Sequence, residues 1–91
     1  MTKTIVLNEM LVVEITRSRS KRNKMTTKLV VYKNEIGFLT YTAVYRSCGI
    51  EKNRRYFLHR QVTCYGRCKT INSWREAKEL ILQAIIYGTF L

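Results

Sequence analysis

The sequence predicts an α+β fold, an antiparallel sheet of three or four strands with one C-terminal helix packed on one face. Two patterns carry that expectation. Before Gly66 the chain is rich in β-branched and aromatic residues that alternate with polar ones, the two-residue period of half-buried strands. After Ser73 the apolar positions recur at helical spacing. Hydrophobic residues make up 46% of the 91 positions, which suits one modest core in a single small basic domain spanning residues 1–91.

From Thr4 to Thr16 the residues are β-branched or aliphatic, interrupted only at Asn8 and Glu9. Leu11, Val13 and Ile15 alternate with Val12, Glu14 and Thr16, so one strand face is apolar. Ser18 to Asn23 is polar, basic and aperiodic, and reads as a loop. Strand character returns from Thr27 to Lys33, and Lys33-Asn34-Glu35 reads as a turn. Ile36 to Arg46 is a further strand with Leu39, Tyr41, Ala43 and Tyr45 on one face. A second basic loop starts at Cys48-Gly49 and runs through Asn53. Arg54 to Tyr65 is the last strand, closed by Gly66.

The helix has the clearest signature. Ser73 followed by Glu76 fits a capping box, in which side chains satisfy backbone N–H groups left open at a helix start. Trp74, Ala77, Leu80, Ile81, Ala84 and Ile85 form one apolar stripe, and Gly88 supplies a stop. Trp74, at the first turn, is expected to seal one end of the core.

Charge is the strongest pointer to function. The net charge is +11, every acid is a Glu, and the segment from Ser73 onward is neutral, with Arg75 and Lys78 against Glu76 and Glu79. The excess therefore falls in the first 72 residues. Arg17, Arg19, Lys21, Arg22, Lys24 and Lys28 follow one another with no acid between them. Arg46, Lys52, Arg54, Arg55, Arg60, Arg67 and Lys69 have only Glu51 among them. Such a surface attracts polyanions, and DNA or RNA is the expected partner.

If a helix covers one sheet face, the other is open to a ligand. Simple alternation puts Arg55, Phe57, His59, Gln61, Thr63 and Tyr65 on one side of the last strand, and Tyr56, Leu58, Val62 and Cys64 on the other. Arg60 breaks the apolar side of that pattern, which marks either an edge or a bulge. On the preceding strand the polar side is Thr40, Thr42 and Arg46, with Phe38 and Val44 among them. Cations fork to guanine, amides to adenine, and rings stack on unpaired bases. The expected nucleic-acid-binding residues are Arg17, Arg19, Lys21, Arg22, Lys24, Arg46, Lys52, Arg54, Arg55, Phe57, His59, Gln61, Arg67 and Lys69. The plain alternative is a solvated sheet face and a solubilising charge run.

Other chemistries find less support. Cys48, His59, Cys64 and Cys68 invite zinc, but only Cys64 and Cys68 are closely spaced, and His59 and Cys64 belong to opposite strand faces. One His and no Asp leave a triad or a multi-carboxylate metal site without material. A metal-free nuclease built from His59, a Glu and an Arg lacks any signal placing a Glu beside His59. No enzyme activity, metal or cofactor is expected. Asn8 and Glu9 interrupt the first apolar run, and Gln83, Gly88 and Thr89 break the last, so neither a signal peptide nor a membrane span is expected. Three cysteines and no leader point to the cytoplasm.

Two functions follow. The first is a non-enzymatic nucleic-acid-binding module using a basic sheet face and basic loops. In architecture it resembles integrase arm-binding domains, a likeness that implies a sheet laid in the major groove. The second is a small inhibitor or adaptor, of the kind a virus encodes, docked on an acidic surface of a host protein or nucleoprotein complex.

Overall fold

The computed structural model describes residues 1–19, 24–47 and 55–89. Its six strands are β1 (Thr2–Val6), β2 (Leu11–Arg19), β3 (Lys24–Lys33), β4 (Ile36–Ser47), β5 (Arg55–Cys64) and β6 (Arg67–Thr70). They lie in one antiparallel meander in chain order, followed by helix α1 (Trp74–Tyr87). The α+β class and the C-terminal helix are as expected, but the sheet has six strands rather than three or four. With them goes the basis for the three-stranded, major-groove likeness.

Both extra strands come from turns. Asn8 does more than interrupt a strand: its Oδ1 accepts from the N–H groups of Met10 (2.8 Å) and Leu11 (2.9 Å). That side-chain turn folds β1 back on β2. Tyr65 and Gly66 have φ of 47° and 79°, the paired left-handed geometry of a tight hairpin, so the chain returns as β6 instead of stopping. Asn34 and Glu35, with φ of 51° and 68°, make the expected turn between β3 and β4 in the same way. Ser18 and Arg19, expected in a loop, are strand residues, Arg19 lying opposite Met25.

Two register shifts decide which face each ring occupies. Between Val31 and Tyr32 the partners jump from Leu39 to Gly37, leaving Phe38 as the extra residue of β4. Phe38 is accordingly 5% exposed and belongs to the core, not to the polar side. Between Val44 and Tyr45 the partners jump from His59 to Phe57, leaving Leu58 over. A bulge of one residue reverses strand parity beyond it. Phe57 therefore stands opposite Tyr45 on the helix side, whereas His59 stands opposite Val44 on the other.

Helix α1 forms because both ends are satisfied. The Glu76 N–H donates to Ser73 Oγ (3.2 Å) and the Asn72 N–H donates to Glu76 Oε2 (3.2 Å). Gly88, with φ of 79°, ends the helix and donates its N–H to the Ala84 carbonyl. Ala77, Leu80 and Ala84 pack on β4 and β5, over a core that includes Val31, Leu39, Tyr41, Val62, Cys64 and Ile71. Trp74, expected to be sealed in, is 47% exposed, because it stands at the border where helix cover stops. No helix among the described residues is long and apolar enough to cross a membrane.

Candidate nucleic-acid interface

The meander places its connections alternately at two ends. The strand ends flanking residues 20–23 and 48–54 share one end, which bears Arg17, Arg19, Lys24 and Arg46. The N-terminal ammonium joins them, donating to the Arg17 carbonyl at 3.0 Å. At the opposite end lie the turns containing Glu9 and Glu35. Lys21, Arg22, Lys52 and Arg54, and the Arg55 side chain, lie outside the described residues, as does Cys48. Arg67 does not join the basic end: it pairs with Cys64 at the far end of the β5–β6 hairpin, and Lys69 lies between.

Because α1 covers only part of its sheet face, that face has an open half beside the basic end. There the strands align Arg17, Thr27, Ala43 and Arg60 in one cross-strand row. The small side chains of Thr27 and Ala43 make a floor between two arginines. One neighbouring row is Arg19, Met25, Tyr45 and Phe57; the other is Ile15, Leu29, Tyr41 and Val62. Residues of all three rows, with Trp74, enclose a trough of about 390 Å³. Tyr45 and Phe57 have ring centroids 5.5 Å apart, and Trp74 meets Tyr41 edge-on at 5.3 Å. The trough thus has aromatic walls on two sides and a cation at each end.

Arg60, the residue out of pattern in the sequence, is its most constrained member. Its guanidinium carbon stands 3.0 Å above the centroid of Phe57, a cation–π stack. One terminal nitrogen donates to the Asn72 carbonyl at 3.4 Å, just ahead of the helix. Its Nε is enclosed without an acceptor among the described residues. Burial pushes the Tyr41 phenol above its ordinary range, while the Arg60 charge beside it pulls the other way. Tyr41, Tyr45 and Arg60 share the helix side with or without the bulge; the bulge at Leu58 adds Phe57, which completes the trough.

The opposite face keeps Arg46 as expected, opposite Lys24, but loses the expected rings Phe38 and Phe57. Thr2, Thr16, Lys28, Thr42, Gln61 and Thr70 form one row across all six strands, with Thr2 and Thr16 hydroxyls 3.3 Å apart. Thr4, Glu14, Val30, Thr40, Thr63 and Cys68 form the next. His59 and Gln61 are on this face as expected, but Phe57 is not. The Cys68 thiol donates to Gln61 Oε1 at 3.2 Å. Cys64 is buried on the helix side, where burial raises its thiol against the opposing pull of Arg67. No group of three or more His, Cys or Glu able to hold a metal gathers among the described residues.

A larger depression of about 710 Å³ lies at the other end, bordered by Glu9, Met10, Tyr32 and Glu35. Its carboxylates disfavour a polyanion, and no ring stack lines it. No family model, curated protein or solved structure matches the chain.

Proposed function

We propose that this protein binds nucleic acid without catalysing a reaction, approaching it through the basic end of the sheet. The observation that carries this reading is the gathering of Arg17, Arg19, Lys24, Arg46 and the N-terminal ammonium at one end of the strands. Arg17, Arg19 and Lys24 come from one basic stretch and Arg46 from another, and a trough lined by aromatic rings and two arginines opens beside them. Phosphates supply the complementary charge, and releasing their counterions makes binding salt-dependent. If about five phosphates are engaged, log K falls against log salt with a slope of roughly −4 to −5 on duplex DNA. Fluorescence anisotropy of a labelled oligonucleotide across a salt series measures this, and an affinity indifferent to salt overturns the proposal.

A second reading, an adaptor or inhibitor seated on an acidic protein surface, draws on one observation. Leu82, Ile86 and Tyr87 are 56%, 67% and 61% exposed on the outer side of α1. A chain that binds neither single-stranded nor duplex DNA or RNA at low salt favours this reading instead.

A further inference from the structure

We infer that the trough between Tyr45 and Phe57 on one side and Tyr41 and Trp74 on the other holds an unpaired base of single-stranded nucleic acid. Arg17 and Arg60 then take the flanking phosphates. The inference rests on the nucleic-acid reading above and adds the strandedness of the ligand.

Size is the first reason. A trough of about 390 Å³ is at the lower end of the range for small organic ligands, roughly 300–1,000 Å³. Tyr41 and Tyr45 are four residues apart on β4, so their backbones are about 13 Å apart at 3.3 Å per residue. Ring side chains on both rows narrow that opening further. A flat base enters such a slot, while a paired duplex meets only its rim.

Ring chemistry is the second. Phe57 is 39% exposed and Trp74 47%, so both present aromatic surface to solvent in spite of their ring partners. The Arg60 guanidinium, stacked on Phe57, adds a cationic plane of the kind on which bases also stack. Successive bases stack on such platforms whatever their identity, because every base has a π-face.

Charge placement is the third. Arg17 and Arg60 end the floor row three strand spacings apart, about 14 Å between their backbones. Anionic groups on both sides of a base are what a strand offers and a lone nucleotide does not. Beyond Arg60 and Phe57 a second depression of about 280 Å³ begins, bordered by His59, Thr70 and Asn72. A strand passing over the Phe57–Arg60 ridge reaches it directly.

Trp74 is the chain's one tryptophan and borders the trough, so its fluorescence reports occupancy. The experiment titrates the whole protein with a 12-nucleotide oligothymidylate, a duplex of equal length, and thymidine monophosphate, each at low and moderate salt. The expected result is quenching of Trp74 by the single strand, with tighter binding than either other probe. Phe57→Ala weakens the single strand roughly 5- to 150-fold, the range for losing one stacking platform, while the duplex is unaffected. Phe57→Leu, which keeps apolar volume but no π-face, loses single-strand affinity in the same direction and guards against a folding defect. Equal binding of single strand and duplex with an undisturbed Trp74 overturns the trough and leaves salt-dependent binding in place. So does a monophosphate that matches the strand in affinity and quenching. Failure of both polymers to bind overturns the nucleic-acid reading itself.

Discussion

Replacing Trp74 with Ala separates a rim residue from a core residue. The ring is 47% exposed and meets Tyr41 edge-on at 5.3 Å, so a little over half of it is withdrawn from water. That is about 120 Å², or about 3 kcal/mol at 25 cal/mol/Å². A compact unfolded chain lowers the figure to about 2 kcal/mol, and the edge-to-face contact restores about 0.5–1 kcal/mol. Trp74→Ala is therefore expected to cost about 2–3 kcal/mol, short of the roughly 3–5 kcal/mol of a fully buried aromatic. Trp74→Phe, which keeps a ring against Tyr41, is expected to recover most of the loss. Urea unfolding followed by far-ultraviolet circular dichroism measures both without needing the indole. A cost above about 4 kcal/mol would refute the partial cover of the helix start, because the ring would then be enclosed. A cost near zero would refute the contact with Tyr41.

Three further outcomes check the fold and the charge separation. Leu39, wholly buried between the sheet and α1, is expected to lose about 2–5 kcal/mol on Leu39→Ala by urea unfolding, and a smaller loss would place the core elsewhere. In a Cys48→Ser background, a thiol reagent at neutral pH is expected to label Cys68 quickly and Cys64 only on unfolding, since Cys68 is exposed and Cys64 buried. The raised Cys64 thiol also makes the folded state hold its proton longer than the unfolded chain, so this contribution is present below the ordinary thiol value of 9.0 and is lost as pH climbs through the folded value. Neutralising Arg17, Arg19 and Lys24 together with Gln is expected to flatten the salt slope on duplex by up to about 2.7, at 0.9 per phosphate contact, whereas Arg75→Gln with Lys78→Gln leaves it unchanged.

The sequence made some elements plain and hid others for identifiable reasons. Helix α1 was legible because Ser73, Glu76 and Gly88 are local signals whose partners lie within four residues. The apolar face of β2 was legible because Leu11, Val13 and Ile15 alternate without interruption. β6 was not, because Arg-Cys-Lys-Thr is exposed throughout and has no apolar alternation to detect. The trough was hidden more deeply. An exposed bulge residue such as Leu58 looks like any other strand leucine, and its effect on parity is felt only by what lies beyond it. Arg60 among apolar neighbours was the one visible trace. Its place on the helix side with Val62 and Cys64 was correct; among the described side chains of β5, Phe57 is the one that changed sides.

Both bulges act in the same sense, and that bears on how the two faces divide their work. Without them, alternation would stand Phe38 and Phe57 among the threonines of the free face. With them, Phe38 enters the core beneath Tyr65, whose ring it stacks against at 5.8 Å, and Phe57 enters the trough. The free face keeps hydroxyls, Gln61, His59 and the cations Lys24, Lys28 and Arg46, Lys24 lying opposite Arg46, so it shares the positive charge but holds neither Phe38 nor Phe57. The helix face gains the rings, beside Arg17, Arg19 and Arg60, at the end where α1 does not reach. A polyanion drawn to that end by the field of the clustered cations meets the trough as the nearest aromatic surface. The far end, where Glu9 and Glu35 offset Lys33 and Arg67, has no comparable excess of cations among the described residues. A basic sheet end and a ring-lined half of the helix face thus come to lie side by side through the register of two strands rather than through any contiguous motif.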